Sequence, residues 1–179
     1  RDLKPANLML GRHNEVYVMD WGLCRAMRLP DETPADKSFV ASTADVSGSA
    51  SDTQLGDVVG TPKYMSPEQA RGRHQQLDAR SDQCALGLIL FELVTLEAPY
   101  PGRTAYEVLV NAAAGKRRPV VHAYLGARIP RELVAIIERA TKLSPDERYP
   151  SVSDMAADLR RYLRGEEVQA RPDALWQRA

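Results

Sequence analysis

Arg1-Asp2-Leu3-Lys4-Pro5-Ala6-Asn7 opens the chain, and Asp20-Trp21-Gly22 follows it across two short apolar runs. Taken singly these residues are bland, since Asp and Asn are ordinary turn formers and a lone Lys is usually solvated. Their order is not bland. An acid, a lysine two positions on, an amide three further, and a second acid before a glycine make a set in which every polar residue has a separate task in phosphoryl transfer. Such chemistry needs positioned charge and metal, with little covalent work from the protein.

Between the acids, Leu8-Met9-Leu10 and Val16-Tyr17-Val18-Met19 flank the polar stretch Gly11-Arg12-His13-Asn14-Glu15. This predicts a small β-hairpin that delivers Asp20. From Pro30 to Thr53 the sequence turns to Ser, Thr, Asp and Ala, too poor in large apolar side chains to offset the entropy of ordering, and a flexible loop is predicted. Beyond Gly60 the pattern is helical to about Leu163. Ser66-Pro67-Glu68-Gln69 has a capping serine, a proline at the first helical position and a glutamine placed for a capping box. Ser81 to Leu96 is apolar nearly all round, which predicts a helix buried on every side at the centre of the core. Further helices are expected from Thr104 to Gly115, from Pro130 with Leu133, Ile136, Ile137 and Ala140 on one face, and from Ser151 to Gly165. The tail with Pro172 and Trp176 has no clear period.

The 179 residues, 44% of them hydrophobic, suffice for the core of one domain. Lys+Arg and Asp+Glu both number 24, so nothing in the charge balance points to nucleic acid or an anionic membrane. Cys24 and Cys84 lie far apart, which suggests neither a disulfide framework nor a thiolate metal site. The apolar stretch from Cys84 to Val94 is too short for a bilayer crossing and contains Glu92. Arg1-Asp2-Leu3-Lys4-Pro5 lacks the apolar run of a signal peptide and reads as a start in the middle of a domain.

The opening constellation resembles the eukaryotic-type protein kinase family, whose catalytic loop reads His-Arg-Asp-Leu-Lys-Pro-x-Asn and whose metal-binding motif reads Asp-Phe-Gly. The resemblance implies that Asp2 accepts or orients the substrate hydroxyl proton and that Lys4 neutralises the transferring γ-phosphate of ATP. It implies that Asn7 and Asp20 hold magnesium, or manganese in its place. Met9 matches the position beneath the adenine ring, with an ordinary core methionine as the other reading. Gly60-Thr61-Pro62-Lys63-Tyr64-Met65-Ser66-Pro67-Glu68 resembles the substrate-docking loop and its Ala-Pro-Glu closure, with Thr61 directed toward Asp2 and Lys4. Asp82 matches the carboxylate that anchors the catalytic loop, and Arg148 the arginine that pairs with Glu68; both are read as structural.

The implied fold is mainly α: a kinase C-terminal lobe with a small β-hairpin, the N-terminal lobe lying outside the chain. Residues 1–164 would be the catalytic domain part, with an activation segment at 20–68, and 165–179 a linker or juxtamembrane-like tail. Lys4 and Thr61 resemble serine/threonine-specific members. Ala6 stands where kinases preferring basic substrates often carry glutamate, so an arginine-directed preference has no support. Arg1 resembles the arginine that pairs with a phosphorylated loop residue, which implies autophosphorylation among Ser38, Ser42, Thr43, Ser47, Ser49, Ser51 and Thr53, with an inert disordered insertion as the other reading. Gly165-Glu166-Glu167-Val168-Gln169-Ala170-Arg171-Pro172 resembles the segment after the kinase domain in large bacterial receptor-type kinases, implying a cytoplasmic domain of a parent in the plasma membrane. Trp21 replaces the usual phenylalanine and Cys84 a common tryptophan; neither removes a catalytic group. The alternative is a pseudokinase or docking module that uses the fold to bind proteins.

Overall fold

The computed structural model describes residues 2–20, 61–73, 75, 77–124 and 128–171. The expectations for Arg1, Trp21, Gly22, Cys24 and the Ser/Thr-rich loop therefore lie outside the described residues. Strands β1 (Leu8–Leu10) and β2 (Val16–Val18) form an antiparallel pair in which Leu8 faces Val18, Met9 faces Tyr17 and Leu10 faces Val16. The turn closes with Gly11 N–H donating to the Glu15 carbonyl at 2.8 Å, and Asn14 takes the left-handed conformation at φ 67°. Asn tolerates that region better than most residues.

Five α-helices follow among the described residues: α1 (Pro67–Ala70), α2 (Ala79–Thr95), α3 (Ala105–Ala113), α4 (Arg131–Ala140) and α5 (Val152–Leu163). Their starts are written in the sequence. Ser66 and Gln69 form a reciprocal capping box on α1, while the Thr104 and Ser151 side chains accept from the backbone N–H three residues on, at Glu107 and Asp154. Asp78 caps α2 in a related way, accepting from Arg80 N–H at 2.8 Å. Gly115 and Gly165 follow α3 and α5 with φ 66° and 70°, the conformation that reverses a chain after a helix.

The second helix is central because two apolar clusters share it. Cys84 and Leu88 pack with Met65, Tyr100, Val108 and Ala112 on one side. Leu86 and Leu90 pack against Ile136, Ala140, Tyr149 and Met155 on the other. A helix serving two clusters has no single apolar stripe. Burial on every side does not extend to its end, however: Leu93 is 66% exposed and Leu96, which caps the helix, 55%. At Gly87 the fourth helix comes so close that an added Cβ would lie 2.8 Å from Ala140 Cβ and 2.9 Å from Thr141 Cγ2. Only glycine fits that crossing without a shift.

Candidate active site

Residues 2–7 close on themselves before the hairpin begins. Pro5 starts a short 3-10 helix, Pro5–Asn7, so that Asn7 N–H reaches the Lys4 carbonyl at 2.9 Å. The buried Asn7 side chain donates through Nδ2 to the Asp2 carbonyl at 2.9 Å, which locks the turn. Lys4 folds back to place Nζ 2.6 Å from Asp2 Oδ2.

Thr61 completes the arrangement from 57 and 59 residues away in sequence. Its N–H donates to Asp2 Oδ1 at 3.0 Å and its Oγ accepts from Lys4 Nζ at 3.1 Å. Both Asp2 oxygens thus have an assigned donor, and the carboxylate plane is fixed. Burial pushes the Asp2 carboxyl up, but the Lys4 ammonium and the Thr61 N–H together hold it below its ordinary value. It is therefore ionised at neutral pH.

Asp20 is brought beside this loop by the ladder: Met19 N–H donates to the Asn7 carbonyl at 2.8 Å, extending the β1–β2 pairing by one step. Asp20 itself sits at φ 57°. With Nδ2 donating to the Asp2 carbonyl, Oδ1 is the Asn7 side-chain atom able to ligate a cation. Among the described residues no group of three or more His, Cys, Asp or Glu converges. One carboxylate and one amide oxygen are hard donors of the number that magnesium takes from a protein when phosphates and water supply the rest, so the residues fit that ion. Met9 is 51% exposed beside this loop.

Behind Thr61 the chain is held rigidly. Pro62–Tyr64 form a 3-10 helix, the Tyr64 hydroxyl donates to Glu92 Oε2, and the Tyr100 hydroxyl donates to the Met65 carbonyl at 3.2 Å. Burial and then the Glu92 carboxylate raise the Tyr64 phenol. Glu68 is buried with Arg148, whose NH1 and NH2 each reach a different Glu68 oxygen at 2.8 Å. The Ser81 hydroxyl adds a third donor at 2.8 Å. Arg148 also donates to the carbonyls of Lys142 at 2.9 Å and Arg80 at 2.8 Å. Asp82 stands half-buried in the first turn of α2. The Tyr64–Glu92 and Tyr100–Met65 ties were missed by sequence reasoning, although Glu92 stood out as the one charge in an apolar run.

Residues 1–160 match the protein kinase domain family. The chain belongs to that family. Among its bacterial kinase relatives, the serine/threonine-protein kinase PknB of Mycolicibacterium smegmatis is 38% identical over 174 residues, covering 97% of this chain and 24% of the relative. The serine/threonine-protein kinase PknD of Protochlamydia amoebophila is 33% identical over 165 residues, covering 92% and 16%. PknB of Mycobacterium tuberculosis is 35% identical over 170 residues, covering 95% and 24%. The chain thus spans a quarter or less of the length of these kinases. Its helical content and two-stranded sheet are those of a kinase C-terminal lobe.

Proposed function

We propose that this chain is the catalytic-lobe part of a serine/threonine protein kinase that transfers the γ-phosphoryl group of ATP to aliphatic hydroxyls of protein substrates. The observation that carries the proposal is the closed triangle of Asp2, Lys4 and Thr61. It joins the loop bearing the candidate acid to the loop on which a peptide would dock. Asp2, held ionised, accepts the hydrogen bond of the incoming hydroxyl and orients its lone pair, taking the proton late. Lys4 lies where it can neutralise charge on the phosphoryl oxygens. Thr61 sets the distance between peptide and acid. Asn7 and Asp20 would hold magnesium, which when bound supplies charge neutralisation at the phosphates. Half-exposed Met9 and Tyr17 on the hairpin offer an apolar surface to an adenine ring.

Substrate class is read from Lys4 and Thr61, which match serine/threonine-specific members. Likeness of 165–172 to the segment after receptor-type kinase domains supports a cytoplasmic domain of a membrane-anchored parent. No described helix is long and apolar enough to cross a membrane.

The test is ATP-dependent phosphorylation of a Ser/Thr peptide by the complete domain. Asp2→Asn, nearly isosteric, should lower kcat by about 10²–10⁴-fold while the protein stays folded, and Asp20→Ala should abolish metal-dependent labelling. If both variants label as fast as the parent, the assigned roles are wrong. A folded parent with no labelling at all would favour the docking module.

A further inference from the structure

The family match ends at residue 160, and the sequence beyond α5 carries no periodic signal, yet the chain there is tied back onto the lobe at several points. Gly165 turns it back at φ 70°, with Gly165 N–H on the Tyr162 carbonyl at 3.0 Å and Glu166 N–H on the Arg161 carbonyl at 2.9 Å. No atom lies within 4 Å of a Cβ added at Gly165, so the backbone conformation and not crowding calls for glycine. Val168 then enters the core, 1% exposed, among Ile136, Ala140, Tyr149 and Met155. The next two amides find a prepared acceptor. Asp158, 0% exposed, takes Gln169 N–H on Oδ1 at 2.6 Å and Ala170 N–H on Oδ2 at 2.8 Å. Its Oδ2 also accepts from the Tyr149 hydroxyl at 2.8 Å, and Arg161 stands 3.6 Å from Oδ1. At the outer edge Arg171 pairs with Glu132 at 3.5 Å.

A carboxylate buried on a helix is tolerated only where donors surround it. Two of the donors around Asp158 belong to the tail. Without residues 168–170, the fold would keep a buried charge with half its partners removed, next to a hole the size of a valine. Tyr149 links the arrangement inward, since Gln83 holds its backbone through paired bonds of 3.0 and 3.1 Å while Asp158 holds its hydroxyl.

We propose that residues 165–171 are a strap that completes the lobe, with Asp158 as its receptor, and not a linker that leaves the domain at residue 164. Any following segment would then depart from a fixed point beyond Arg171. The proposal is independent of the phosphoryl-transfer assignment, and its test reads no activity. In the full-length protein, hydrogen exchange followed by mass spectrometry should show Gln169 and Ala170 amides protected as well as those of α5, at least about 100-fold over a free peptide. Asp158→Asn sets an amide where both acceptor oxygens are needed, and should speed that exchange by about tenfold or more while α3 keeps its rate. Val168→Ala leaves the carboxylate in place and should raise the same exchange by a smaller factor; it decides the matter if Asp158→Asn fails to fold. Free-peptide exchange at 169 and 170 in the parent protein would overturn the strap, as would undiminished protection there in the variants.

Discussion

Two ion pairs divide the molecule's tasks between them. Glu68–Arg148 and Asp2–Lys4 each join an acid to a cation at short range, and in each burial raises the acid while its neighbours more than reverse that effect. The direction of the pKa shift therefore does not separate a sealed pair from one that solvent reaches. Their surroundings do. Glu68 and Arg148 have side chains 5% and 0% exposed, and every polar direction is filled by Ser81, the Lys142 carbonyl or the Arg80 carbonyl. Asp2 and Lys4 are 11% and 25% exposed, on a loop edged by the apolar and half-exposed Met9, Tyr17 and Met19. A saturated, sealed pair can only hold geometry; an ordered pair that solvent still reaches can take a third partner.

Breaking the sealed pair tests the contrast most severely. Arg148→Met leaves Glu68 buried without its guanidinium and should cost about 3–5 kcal/mol in chemical denaturation. The double variant Glu68→Gln, Arg148→Met should recover much of that loss, because no uncompensated charge remains. Acid probes the same pair. The Glu68 carboxyl lies below its ordinary value when folded, so its stabilising contribution is complete above the ordinary glutamate range and disappears as pH falls through the lower folded value. Glu68→Gln should flatten the acid limb of the stability curve in that window. A single Arg148→Met as mild as a surface change would erase the distinction between the pairs.

A smaller effect is expected where α2 crosses α4. Gly87→Ala gains helix propensity of up to about 1 kcal/mol, but its Cβ would stand 2.8 Å from Ala140 Cβ. The neighbour is a methyl group on a helix and has no rotamer to yield, so overpacking of about 1–3 kcal/mol should win. Thermal denaturation measures the balance. A raised Tm would mean that this interior is looser than the distances imply, weakening the picture of a rigid support beneath a receptive edge.

What could be read in the sequence follows from the kind of force involved. Capping is local, so Ser66, Thr104 and Ser151 mark their helices in the sequence itself, and so do the glycines at 115 and 165. The Asp2, Lys4 and Thr61 juxtaposition was legible only through family resemblance, because nothing local ties residue 61 to residue 2. Apolar letters misled at Leu93 and Leu96, since composition does not tell where a central helix emerges from its clusters. The strap was invisible for a different reason. It is held by two backbone N–H groups on one carboxylate and by a single valine, none of which leaves a period.

The smallest expected effect has the opposite sign. Leu96 ends α2 in the left-handed conformation at φ 61°, where its N–H caps the helix on the Glu92 carbonyl at 2.8 Å. A residue with a Cβ is strained there by about 1–2 kcal/mol relative to glycine, while Leu96, being 55% exposed, has only part of its apolar surface to lose. Leu96→Gly should therefore stabilise the protein by up to about 1 kcal/mol, the greater freedom of glycine in the unfolded chain taking back part of the gain. The site touches neither ion pair, so kcat should not move. A fall in Tm would show that the half of the leucine still covered outweighs the relieved backbone, and that the sealed interior reaches further toward this end of α2 than its exposure suggests.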